Sequence, residues 1–141
     1  DVEDICQLIN EEKIEGIIAT NTSLDRLGLE EREIAQTGLT LSQEQGGLSG
    51  KPIQKKANEM IRYINKLDKN IILIGVGGID SAESAWERIC SGASLVQIYT
   101  GWIYKGPKLV PDILNGIIKQ LNIHQLKNIN EAIGSRLKWV E

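Results

Sequence analysis

A single histidine, His124, leaves little scope for histidine-based chemistry within this chain. The two cysteines, Cys6 and Cys90, form neither a CxxC pair nor a metal-ligand spacing. Both fall in amphipathic stretches, so they read as reduced core thiols in a reducing compartment, and no metal site is expected. There is no basic excess: Lys+Arg number 16 against Asp+Glu 19, a formal charge of -3 and a pI near 5.3. That balance argues against nucleic acid as a partner. No apolar run approaches the ~18 to 20 residues of a membrane-spanning helix, and the first residues have no signal-peptide core. With 41% hydrophobic and 25% charged residues in 141, the composition is that of one packed domain or a piece of a larger one, and it excludes disorder, collagen and coiled coil.

Three short apolar runs stand out: Gly16-Ile17-Ile18-Ala19-Thr20, Ile71-Ile72-Leu73-Ile74-Gly75-Val76 and Leu95-Val96-Gln97-Ile98-Tyr99. They are mostly continuous rather than alternating, the pattern of parallel strands buried on both faces. Helical periodicity fills the intervals. Ile53, Ala57, Met60, Ile61, Ile64 and Leu67 recur at three- and four-residue steps after Pro52, a residue suited to a first helical turn. Ala82, Ala85, Trp86, Ile89 and Cys90 make the next stripe, with Asp80 and Glu83 spaced as a capping box and Gly92 as the stop. Ile113, Leu114, Ile117, Ile118 and Leu121 follow Pro111, and Val2, Ile5, Leu8 and Ile9 form an opening helix. A tail with Ile129 to Ile133 closes the chain.

This alternation is βαβ architecture. The opening helix needs a sheet to lie on, so a strand before Asp1 is expected. Three parallel strands with their helices fit either half of a doubly wound sheet or the last three βα units of a (β/α)8 barrel, and periodicity does not choose between them. The loops favour the barrel. The stretch from Asn21 to Lys51, with Gly28, Gly38, Gly46, Gly47 and Gly50, is long for a βα connection and sits where barrel enzymes carry function.

Candidate chemistry lies at the strand ends. Gly75-Val76-Gly77-Gly78-Ile79-Asp80 follows a strand and opens a helix, so it is either a plain tight turn or a loop whose amides hold an anion. Its spacing fits neither GxGxxG nor a Walker loop. Tyr99-Thr100-Gly101, followed by a short extra helix at Trp102-Ile103-Tyr104, repeats the arrangement one strand later, as in barrel phosphate sites. Thr20-Asn21-Thr22 can read the edge of a flat heterocycle or form an Asx-turn. Gly46-Gly47-Leu48-Ser49-Gly50-Lys51-Pro52 is a ligand loop or an ordinary connection. Glu30 to Glu33 reads as a solvated helical turn, and Trp86 and Trp139 as packing residues.

Four blocks, occurring in order, resemble the last third of dihydroorotate dehydrogenase: Ile17 to Arg26, Gly46 to Pro52, Ile74 to Ile79 and Gly92 to Gly101. Gln97-Ile98-Tyr99-Thr100 and the tail Ile129 to Gly134 are similar to the quinone-dependent class 2 enzymes. The resemblance implies that residues 1–141 are the C-terminal part of a single FMN-binding barrel domain that oxidises dihydroorotate to orotate in pyrimidine synthesis. It implies FMN contacts at Thr20, Gly50, Gly78, Tyr99 and Thr100, the last three around the phosphate, and pyrimidine contacts at Asn21 and Thr22. The base serine and a flavin-facing lysine of the class belong to motifs expected before Asp1, so no catalytic residue is assigned in this chain and the isolated segment is expected to be inactive. Membrane association, peripheral on the bacterial cytoplasmic membrane or the mitochondrial inner membrane, would reside in a preceding segment. The stretch Leu27 to Gln45 is longer than the usual link between its flanking motifs. Alternatives are another FMN-dependent or phosphate-binding barrel, and a non-catalytic half-barrel module.

Overall fold

The computed structural model describes residues 1–29 and 31–141. Three parallel strands, β1 (Gly16–Ala19), β2 (Ile72–Val76) and β3 (Leu95–Gln97), form one sheet in sequence order. Ile18 pairs with Ile74, and Ile74 in turn with Leu95. The helices are α1 (Val2–Glu11), α2 (Gln54–Leu67), α3 (Ala82–Cys90), α4 (Thr100–Lys105) and α5 (Leu109–Ile123), with 3-10 turns at Lys51–Ile53 and Ile129–Glu131.

Strand side chains alternate between faces, and only one face is covered. Leu73 and Gly75 point to the helical layer and are buried. One apolar cluster joins Cys6 and Ile9 of α1, Ile61 and Ile64 of α2, and Leu73. Others join α3, α5 and the tail through Ala85, Ile113, Trp86 and Ala132. A fully buried aliphatic or aromatic side chain contributes about 1.5–3 kcal/mol, and Leu73, Ile61 and Trp86 all reach complete burial. The opposite face carries Ile18, Ile72 and Leu95 at 56%, 47% and 58% exposure. Burial on both faces, inferred from the continuous apolar runs, therefore does not hold in these residues. A doubly wound sheet has helices on both sides, whereas helices on one side with a bare concave face are the arrangement of a barrel sector.

Several local expectations shift by a residue or two. The cap of α3 is Ser81, still extended at φ -157 and ψ 167, with Ser84 completing the box in place of Asp80 and Glu83. The Asp80 N–H is instead consumed by Ser84 Oγ at 3.0 Å. In α1 the buried positions are Cys6 and Ile9, leaving Ile5 and Leu8 half-exposed. In α5, Leu114 and Ile118 face outward while Ile113 is buried. Of the acidic run, Glu30 lies outside the described residues, and Glu33 forms an antiparallel bridge with Thr40 rather than a helical turn. Trp86 and Trp139 pack in the core cluster around α3, and both cysteines are buried.

Candidate functional site

The residues singled out in the sequence converge at the C-terminal ends of the strands. A cavity of about 180 Å³ is lined by Thr20, Asn21 and Thr22 after β1, Ser49 and Gly50 from the long loop, Gly77 and Gly78 after β2, and Tyr99, Thr100 and Gly101 after β3. Every residue assigned to flavin or pyrimidine on the resemblance therefore borders one hollow. A larger groove of about 670 Å³ opens on the outer side, between the long loop and α4, and shares Ser49, Gly50, Gly78 and Thr100 with it. The smaller cavity is the candidate site because the strand ends meet there, and strand ends are the rigid elements of the fold.

Each wall has a local cause. After β1 the Ala19-Thr20 peptide is cis, and the Thr20 N–H donates to Val76 O at 3.2 Å. Asn21 is exposed; its Oδ1 accepts the Thr22 N–H at 2.7 Å, while its Nδ2 has no partner among the described residues. Reciprocal backbone bonds between Ser23 and Leu48, at 3.0 and 2.7 Å, lay the Asn-Thr segment against the glycine-rich loop. A Cβ on Gly47 would lie 1.9 Å from Thr22 Oγ1, so only glycine permits that approach. The long loop is tied down further on. Arg26 donates to Gly46 O at 2.5 Å. Lys56 pairs with Asp25, and this bond holds the Asp25 carboxyl below the usual carboxylate range. Thr100 Oγ1 and Ser49 Oγ lie 2.9 Å apart and join the loop to the end of β3.

The floor is polar without being charged. Gly77 and Gly78 adopt φ of 103 and 76, a region that disfavours side chains. At Gly78 a Cβ would also meet Gln54 Cβ and Cα at 2.6 and 2.7 Å. At Gly101 it would meet Ile79 O at 2.1 Å. Among the described residues, the N–H groups of Gly77, Gly78, Ile79, Thr100 and Gly101 donate to no atom of the chain. Clustered free amides of this kind form an anion-binding concavity. Among the described residues the lining contains no carboxylate, imidazole or ammonium.

Sequence reasoning missed three contributors. Ser49 lies within the Gly46 to Pro52 loop, where a serine between glycines carries no signal of its own. Gln97 lines the cavity as the one polar residue of the β3 run, and that interruption near a strand end was the available signal. Arg88 left no signal, because an arginine after Glu87 reads as solvent-facing. It is instead fully buried, donating from Nε to Asn58 Oδ1 at 2.6 Å, from Nη1 to Val76 O at 2.7 Å and from Nη2 to Gly77 O at 2.6 Å. Burial, with the Arg62 charge adding to it and Glu87 opposing, lowers its pKa to about 10. The guanidinium stays charged at neutral pH.

The sequence profile of the family described as dihydroorotate dehydrogenase matches residues 1–121. Among curated relatives, the dihydroorotate dehydrogenase (quinone) of Prochlorococcus marinus (strain MIT 9313) is 52% identical over 139 residues, covering 98% of this chain and 36% of that protein. The enzyme of the same description from Synechocystis sp. is 51% identical over 131 residues, covering 92% and 34%. A crystal structure of DHODH in complex with ferulenol from Eimeria tenella superposes with a TM-score of 0.81 at 30% identity, over 95% of this chain and 34% of that one. The chain thus spans about a third of the length of these relatives.

Proposed function

Because the chain belongs to the dihydroorotate dehydrogenase family, we propose that the protein carrying it oxidises dihydroorotate to orotate in pyrimidine biosynthesis, with FMN as cofactor and quinone as electron acceptor. The observation that carries this reading is the convergence of three strand ends and the glycine-rich loop on one uncharged, amide-rich cavity. A phosphate dianion needs several N–H donors and close backbone approach, and the unpartnered amides of Gly78 and Thr100 fit that need. On this reading Gly78, Tyr99 and Thr100 hold the phosphate, and Thr20 and Gly50 border the rest of the flavin. Asn21 and Thr22 hold the pyrimidine, with the free Nδ2 of Asn21 donating to a ring carbonyl. When bound, FMN supplies the hydride acceptor.

Among the described residues the cavity wall offers no carboxylate or imidazole as a proton acceptor, and Tyr99 is the one titratable residue that lines it. The hydroxyl of Ser49 is engaged by Thr100, and among the described residues no base hydrogen-bonds it to make it one. The group that removes the substrate proton therefore comes from elsewhere in the whole protein, in keeping with a loop serine as the family base. Attachment at a membrane surface, cytoplasmic or mitochondrial inner, belongs to the same proposal. Among the described residues no helix is long and apolar enough to cross a membrane, so such attachment falls to other segments.

The test is purification of the full-length protein carrying this segment, identification of its flavin, and assay of orotate formation with dihydroorotate and a quinone. Bound FMN with quinone-dependent orotate formation is the expected result. FMN without turnover of dihydroorotate would point to another flavin barrel, and absence of flavin to a non-catalytic module.

A further inference from the structure

Resting on the reading of this cavity as a flavin-phosphate site, we propose that Arg88 is a positioning residue for it, fixing from the helical side of the sheet the loop whose amides face the phosphate. A peptide group is planar and trans, so a carbonyl and the N–H that follows it point to opposite sides. From the helical side of the sheet Arg88 holds Gly77 O at 2.6 Å and, at 2.7 Å, Val76 O, which also accepts the Thr20 N–H at 3.2 Å. The N–H groups of Gly77 and Gly78 are thereby turned to the other side, where the cavity lies and where neither has an acceptor among the described residues.

The charge of Arg88 is as informative as its geometry. All the acceptors of the guanidinium are neutral: two backbone carbonyls and Asn58 Oδ1. The carboxylate of Glu87 joins the network at one remove, accepting from Asn58 Nδ2 at 3.3 Å and Gln54 Nε2 at 3.4 Å. A buried cation without a carboxylate bonded to it is costly on its own. A phosphate dianion on the far side of one loop supplies the missing counter-charge. Gly75 belongs to the same device. Its φ lies outside the left-handed region, yet a Cβ there would fall 2.6 Å from both Cγ and Cδ of Arg88. Its missing side chain makes room for the arginine stem, whereas Gly77 and Gly78 serve the cavity side.

The experiment titrates flavin-free full-length protein with FMN and with riboflavin, which lacks the phosphate, in wild type, Arg88→Met and Arg88→Lys. Melting temperatures are recorded for each. For Arg88→Met the Kd for FMN rises about tenfold or more, the scale of a lost charge-assisted hydrogen bond, while the Kd for riboflavin is unchanged. Arg88→Lys keeps the charge but not the two-pronged donor, and falls between. Equal weakening toward both flavins marks a merely structural role and overturns the inference, as does unchanged FMN affinity in a folded variant. Should Arg88→Met fail to fold, the FMN-to-riboflavin ratio of Arg88→Lys decides in the same way. Wild-type protein that takes up no FMN overturns the cofactor reading and this inference with it. Wild type that binds FMN beside variants that bind it equally overturns the inference alone.

Discussion

Replacing Gly78 with alanine tests the floor of the cavity at its least forgiving point. Gly78 holds φ +76, and the atom that alanine adds would lie 2.6 Å from Gln54 Cβ, 2.7 Å from its Cα and 2.9 Å from its N. Two of those three atoms are backbone of the first turn of α2, so the obstacle cannot swing aside as a flexible side chain would. A left-handed backbone costs an L-residue roughly 1–2 kcal/mol, and overpacking a tight contact typically about 1–3 kcal/mol, which together give about 2–5 kcal/mol for Gly78→Ala. Against a total stability of ~5–15 kcal/mol that is a large fraction. The loop escapes by moving, and moving it redirects the amides of Gly77 and Gly78. Because the clash arises at Cβ itself, alanine carries most of the loss, and Gly78→Val adds a smaller increment for its branched side chain. Full-length protein would be assayed by urea unfolding and by the flavin-to-protein absorbance ratio after gel filtration. Lower unfolding midpoints with flavin lost from both variants are the expected outcome. A Gly78→Ala protein with an unchanged midpoint and full flavin occupancy would refute both the strain and its coupling to the site.

Other consequences can be checked on the same preparations. Asn21→Ala removes a contact with net value ~0.5–1.5 kcal/mol, or ~1–3 kcal/mol if a buried partner is left unsatisfied; kcat/KM for dihydroorotate falls roughly five- to a hundred-fold with flavin content unchanged. Asn21→Asp keeps the acceptor that bonds the Thr22 N–H but loses the Nδ2 donor, so it loses kcat/KM while keeping its melting temperature; unaltered kcat/KM in both variants would remove Asn21 from the substrate site. The isolated 141 residues, supplied with FMN, dihydroorotate and a quinone, show no turnover and elute as an associated species, since Ile18, Ile72 and Leu95 are bare; turnover would place the base within this segment. Cys6 and Cys90 are buried, and burial raises both thiol pKa values. The reactive thiolate therefore forms only above the ordinary thiol range, and a thiol reagent at neutral pH modifies neither until urea unfolds the protein.

The strands and helices were legible because their periodicity is imposed by a sheet and one helical layer. The order of elements follows directly from that pattern, whereas the short α4 (Thr100–Lys105) is read from its place after the third strand end rather than from periodicity. Which face of α1 and α5 is buried was less legible, because Ile5, Leu8, Leu114 and Ile118 are apolar yet face outward here. Hydropathy cannot tell a side chain covered by this segment from one left bare by it. The cap of α3 moved to Ser81 because a Ser-x-x-Ser pair competes with Asp80 and Glu83 at nearly the same spacing. Each residue assigned from its motif lines the 180 Å³ cavity: Thr20, Gly78, Tyr99 and Thr100 follow strand ends fixed by the fold, and the Ser23–Leu48 bridge holds the part of the long loop that carries Gly50. Arg88 stayed hidden because its role depends on Gly75, thirteen residues earlier, leaving space for its stem. That complementarity exists only in three dimensions.

A structure of the full-length protein with FMN and orotate bound tests the central claim most directly. The account predicts phosphate oxygens within hydrogen-bond reach, ~2.7–3.2 Å, of the Gly78 and Thr100 amides, with orotate on Asn21 and Thr22. A flavin phosphate seated elsewhere, with the amides of Gly78 and Thr100 facing only solvent, would contradict it.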